Sequence, residues 1–137
     1  MTTSNFARNS NNPKAIAISR GIPNFYRGLS FPKLAPTWAM LDMTDEDYDE
    51  RFSHILEELD AKEVYEQLKD AVLLCWESPN VKCHRRMVAE WFERELGVVV
   101  TEEGFERSDV LPYAVMPHKG EKPGPKTSGG RQGMLLF

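Results

Sequence analysis

From Tyr48 onward, apolar residues recur at Tyr48, Phe52, Ile55, Leu56 and Leu59, the i, i+4, i+7, i+8, i+11 spacing of one face of a helix. Thr44 stands before this stripe as an N-cap with Asp47 three residues on, and Asp45, Glu46 and Asp47 fall in the first turn, where they oppose the positive end of the helix dipole. Asp60 and Glu63 repeat the capping pattern ahead of Val64, Tyr65 and Leu68, which predicts a second, shorter helix. A third stripe, Met87, Val88, Trp91, Phe92 and Leu96, opens near Cys83 and stops at Gly97, a favourable C-cap residue.

Three apolar runs lack helical periodicity. Ala15 to Ser19 is short and followed by Arg20-Gly21-Ile22-Pro23, Ala71 to Trp76 does not alternate, and Gly97 to Val100 is short and β-branched. Runs of this kind are strands covered on both faces. Strand, helix, strand, helix, strand implies parallel pairing with right-handed crossovers. The expected fold is therefore α/β: a small three-layer Rossmann-like domain with a mainly parallel sheet and helices on both faces. Residues 1–12, rich in Thr, Ser and Asn, are expected to be a disordered N-terminal arm. Residues 13–116 form the single domain. Residues 117–137, rich in Pro, Gly, Lys and Ser, are expected to be a flexible tail ending in a Met134 to Phe137 apolar tag. Between Gly21 and Pro36, glycines and prolines alternate with Phe25, Tyr26 and Phe31, and Trp38 follows just beyond. A long loop so rich in aromatics is seldom an idle connector.

Length and composition add bounds. At 137 residues with 41% hydrophobic content, the chain suits one globular domain. No apolar run approaches the roughly 18 residues of a membrane span and the start lacks a signal-peptide core, so a cytoplasmic location without membrane contact is expected. In such a compartment Cys75 and Cys83 would stay thiols, and neither a disulfide nor a C-x-x-C redox pair is expected. The net charge of −4 is uneven: residues 1–40 hold five bases and no acid, residues 41–70 twelve acids against three bases, and the remainder nine of each. A local basic surface on an acidic protein favours a small anionic, nucleotide-like partner over duplex nucleic acid. An acidic solvated helix face and a flexible basic arm would account for the same pattern. Oligomerisation is left open.

The chemistry is expected between Leu73 and Arg86. In an open parallel sheet, ligands bind beyond the carboxyl ends of the strands. That edge receives Ser19-Arg20-Gly21 from the first strand and Cys75-Trp76-Glu77 from the second, followed by the helix start Cys83-His84-Arg85-Arg86. A helix N-terminus with arginines in its first turn makes an anion receptor. Helical geometry puts Cys83 and His84 on the buried stripe, Arg85 on its flank and Arg86 on the opposite side, toward solvent. Arg20 and Arg85 are the expected anion ligands, with Ser19, Gly21, Tyr26, Arg27, Cys75 and Trp76 around them. Cys83, His84 and Glu77 are the candidate catalytic groups. Each has a bland alternative: a buried structural cysteine, a satisfied half-buried histidine, a solvated turn acid. Cys75, Cys83 and His84 match no standard zinc spacing and have no evident fourth ligand, so no metal and no cofactor are expected. A P-loop, a G-x-G-x-x-G and a Cys-x5-Arg loop are missing, which leaves ATP-dependent phosphate transfer unsupported.

Leu73 to Pro79, then Cys83-His84-Arg85-Arg86 and Ala89-Glu90-Trp91, together resemble the 488 family of domains of unknown function. Ile18 to Pro23, Tyr26-Arg27-Gly28 and Leu34-Ala35-Pro36 look like its stand-alone bacterial and phage branch. The likeness covers about residues 14–100. It implies a compact α/β domain with Cys83, His84 and Arg85 as the motif and Ser19, Arg20 and Glu77 as neighbours. Together these readings lead to an expected binding, and open the question of processing, of a nucleotide-like anion at the sheet edge. The alternatives are a protein or nucleic-acid interaction module with a structural Cys-His-Arg element, and a cysteine-based hydrolase or transferase.

Overall fold

The computed structural model describes residues 1–121, so the expected tail beyond residue 121 and its apolar tag lie outside the described residues. The strands are β1 (Thr2–Asn5), β2 (Ala15–Ala17), β3 (Leu29–Ser30), β4 (Val72–Cys75) and β5 (Thr101–Glu102). The helices are α1 (Phe6–Asn9), α2 (Asp45–Glu57), α3 (Ala61–Leu68) and α4 (His84–Leu96). All strand pairs are parallel, in the order β3-β2-β4-β1-β5. This is an α/β domain. No helix among the described residues is long and apolar enough to cross a membrane.

The caps form where the sequence places them: Thr44 accepts from the Asp47 N–H, Asp60 from that of Glu63, and Gly97 ends α4 at φ 68°. The apolar stripes of α2, α3 and α4 pack together on one face of the sheet. There Phe52, Leu56, Leu68, Val88 and Phe92 meet Ile18 and Leu73. The opposite face is thinner. Phe6 of the single-turn α1 and Tyr26 cover Ala15, Ala17, Val72 and Leu74 there. A full second helical layer is therefore replaced by one turn and a loop.

The N-terminal arm is a correction. Residues 2–5 form β1 inside the sheet, between β4 and β5. A strand reading Thr-Ser-Asn is tolerated because its buried side chains find partners, without which burial would be costly. Thr3 donates to Glu102, Ser4 to Glu103 at 3.0 Å, and the Asn9 side chain to Ser4 at 2.8 Å. The expected strand at 97–100 also shifts: the ladder with β1 forms at Thr101–Glu102. Residues 117–121 are engaged in part, since the Lys82 N–H donates to the Pro117 carbonyl at 2.8 Å.

Both arginines at the start of α4 are buried, Arg85 at 0% and Arg86 at 1% exposure, which overturns the expected solvent position of Arg86. Arg86 pairs with Glu93 at 3.4 Å and donates twice to the Val100 carbonyl. Arg85 makes a fork on Glu102, Nε at 3.2 Å and Nη2 at 3.1 Å. Burial acts to raise the Glu102 pKa, but the Arg85 guanidinium and the Thr3 hydroxyl outweigh it and hold it below the usual carboxylate range. The native carboxylate thus binds fewer protons than the unfolded one. Its contribution to stability is complete above about pH 4.3 and is lost as pH falls through the lower native value. We expect Glu102→Gln to cost about 3–5 kcal/mol, because it strands a buried guanidinium, and to flatten the acid limb of the stability curve. Urea unfolding between pH 3 and 7 measures both. A loss below about 1 kcal/mol would rule out the buried-pair account.

Candidate functional site

The chain leaves β2 toward β3 on one side and leaves β4 toward β5 on the other, so these adjacent strands diverge at a topological switch point. Crevices open at such points beyond the strand ends. Here a cleft of about 330 Å³ lies against Ser19, Arg20 and Gly21 from the end of β2 and Cys75, Trp76 and Glu77 from the end of β4. The Ser19 hydroxyl (2.7 Å) and the Trp76 indole N–H (2.8 Å) both donate to Gly21 O, and the second of these bonds ties the end of β4 to that of β2. Arg20 Nε donates to the Pro36 carbonyl at 2.7 Å, which folds the aromatic loop toward the same edge. Trp38 then stands over Gly21, where an added Cβ would lie 3.8 Å from its ring. Trp38 and Trp76 are 65% and 53% exposed and line the cleft as open aromatic surfaces.

Cys75, Cys83 and His84 line its inner part and are buried. Cys75 ends β4, Cys83 is the N-cap of α4 and His84 its first residue. Cys83 makes no side-chain cap bond, so its sulfur is free to turn toward β4, and it pairs with Cys75 as a disulfide. This overturns the expectation of two separate thiols: the strand end and the helix start, eight residues apart, fold back on each other.

His84 is fixed through Nε2. Nε2 lies 2.5 Å from the Ile18 carbonyl. A carbonyl only accepts, so Nε2 carries the proton. Burial lowers the His84 pKa to about 4, with the Arg85 charge adding to the shift and the Ile18 hydrogen bond opposing it. The ring is therefore neutral at pH 7, and Nδ1 presents its lone pair 3.7 Å from each of the two sulfurs.

Eight of the eleven expected site residues meet at the cleft: Ser19, Arg20, Gly21, Cys75, Trp76, Glu77, Cys83 and His84. Three do not. Tyr26 is buried on the other face of the sheet, donating to Ala15 and Leu29 carbonyls. Arg27 is exposed and bonds the Asn24 carbonyl. Arg85 is spent on Glu102 and on the Glu77 and Ser78 carbonyls at 2.6 and 2.7 Å, so it organises the loop beneath the cleft and cannot hold an anion in it. The sequence reading missed Lys82, Tyr48, Tyr113 and His118 as cleft residues. Lys82 was legible as the neighbour of Cys83. It lies 4.7 Å from the centre of the Tyr113 ring, while Tyr113 donates to Asp49 and His118 meets Asp45, each at 2.5 Å. Tyr113 and His118 come from an irregular segment with no periodicity to mark it.

Searches of protein-family models, of curated proteins and of solved structures found no match to this chain.

The pairing is directly checkable, because trypsin cuts between the two cysteines at Lys82 and again at Arg85. From protein purified without reductant we expect residues 70–82 joined to the tripeptide 83–85, and separate peptides after reduction. Complete alkylation of both cysteines without a reductant would contradict the pairing.

Proposed function

We propose that the cleft binds a small anionic, nucleotide-like molecule and that any reaction on it uses the Cys75, Cys83 and His84 cluster. The observation that carries this reading is the joint lining of one cleft by two cationic side chains, Arg20 and Lys82, and two open indoles, Trp38 and Trp76, beyond adjacent strand ends. Guanidinium and ammonium groups suit phosphate, and an indole face suits a heterocyclic base. Arg85, the anion ligand expected from sequence, is replaced in this role by Lys82. Cys83 and His84 line the cleft and Arg85 lies immediately beneath it, so the Cys-His-Arg element borders the proposed site. The expected cytoplasmic setting would favour the reduced thiols.

Calorimetric titration with nucleoside mono-, di- and triphosphates at fixed salt tests the reading. A charge-assisted hydrogen bond is worth about 1.5–3 kcal/mol, so Arg20→Ala and Lys82→Ala should each weaken binding by at least about tenfold. Wild-type protein that binds none of the panel, or variants that bind as wild type does, would defeat it.

A second reading, a cysteine-based hydrolase or transferase, is favoured by the unprotonated His84 Nδ1 facing both sulfurs. With the pair reduced, Cys83 at the helix N-terminus would be the nucleophile and His84 its base. Iodoacetamide labelling at neutral pH separates the outcomes. Reduced Cys83 should alkylate several-fold faster than Cys75 and lose that advantage in His84→Gln; equal slow rates would count against a nucleophile.

A further inference from the structure

We propose that reduced Cys75 and Cys83, together with His84 Nδ1, form a binding site for one zinc-class metal ion with a coordination position open to the cleft. The three donor atoms lie within 4.8 Å of one another. A tetrahedral ion with Zn–N near 2.05 Å and Zn–S near 2.3 Å sets nitrogen and sulfur about 3.6 Å apart. The observed separations from Nδ1 are 3.7 Å to each sulfur; the sulfurs are bonded to each other here, and on reduction they must part to the roughly 3.8 Å that the same tetrahedron sets between them.

The histidine is arranged as a ligand. Metal-binding imidazoles donate their other N–H to a carbonyl or carboxylate, which fixes the tautomer and the ring, and His84 gives Nε2–H to Ile18 O. The two cysteine Cα atoms stand 7.4 Å apart. Backbone positions so spaced let two side chains converge on a shared ion. Two thiolates and a neutral imidazole around a divalent ion give zero net charge, which removes the main cost of placing a metal in a buried setting. Soft sulfur donors select zinc over magnesium or calcium.

The electron and proton count closes with a thiol reductant. Two reductant thiols give two electrons and two protons to the Cys75–Cys83 disulfide and become a disulfide themselves. The two protein thiols then release two protons to solvent as they take up the ion. The described residues bring three donors to this group, and three protein ligands with a free position is the composition of a catalytic rather than a structural zinc site. All three donors line the cleft, so the open position would take water or an anionic oxygen of a cleft ligand. The expectation of no metal rested on the spacing and on the lack of an evident fourth ligand; the strand end and helix start supply the convergence that spacing did not show, and the open position stands where a fourth protein ligand would.

The full chain, reduced with a phosphine and stripped by a chelator, is titrated with Co2+ alone and then with Zn2+. One equivalent of Co2+ should produce thiolate-to-cobalt charge transfer and tetrahedral d–d bands, and Zn2+ should abolish them. Saturating Zn2+ should slow alkylation of both cysteines at least tenfold. Cys75→Ser, Cys83→Ser and His84→Gln should each remove the tetrahedral signature. Wild-type protein with no cobalt bands and alkylation indifferent to Zn2+ would overturn the site, whatever the folding state of the variants. Unchanged bands in His84→Gln would overturn the ligand set. The metal readouts need no nucleotide, so failure of nucleotide binding leaves them intact and failure of the metal site leaves the calorimetry interpretable.

Discussion

The buried pairing of Arg85 with Glu102 is the constraint on which the arrangement of the cleft depends. Glu102 accepts from the Arg85 fork, from the Thr3 hydroxyl and from the Asn80 N–H, and Arg85 also donates to the Glu77 and Ser78 carbonyls. One knot therefore ties β1, β5, the loop 77–80 and the first turn of α4. Loop carbonyls at the end of a buried strand need donors, because unpaired they would carry a desolvation cost. A hydrophobic pair of similar volume could fill the space and still leave those carbonyls unserved. Substituting for the ion pair would thus disturb the loop that carries Glu77 and sets Cys83 opposite Cys75.

The same knot explains where the sequence was legible. Periodicity and capping marked α2, α3 and α4, and the unalternating run marked β4, because each buries an apolar face that one local segment displays. β1 shows no such face. Its Thr3 and Ser4 are buried against acids some hundred residues away in sequence, so the signal for that strand lies in the pairing and not in the segment. Arg85 illustrates the opposite error. A helix N-terminus and two arginines do make an anion receptor, but the anion already present is Glu102.

Most of the candidate site was readable because it depends on strand order alone. Parallel strands deliver their carboxyl ends to one edge, and the residues just after Ala17 and Leu74 had to arrive there. What could not be read was which loop carbonyls those residues would use. Arg20 turns to Pro36 and Trp76 to Gly21, and these bonds leave the indoles of Trp38 and Trp76 facing the cleft.

The orientation of His84 follows from how β2 stops. The Ile18 N–H still donates to the Leu74 carbonyl at 3.0 Å, while paired strand residues end at Ala17. The Ile18 carbonyl is taken instead by His84 Nε2–H. Strand termination thereby supplies an acceptor at the place where α4 begins. With one ring nitrogen committed to that acceptor and Phe52 packed T-shaped on the imidazole at 5.3 Å between centroids, the second nitrogen faces the two sulfurs. A histidine merely satisfied in a core would use both nitrogens on backbone or polar partners. Here one is paired with a backbone carbonyl and the other faces two sulfurs beside an open cleft.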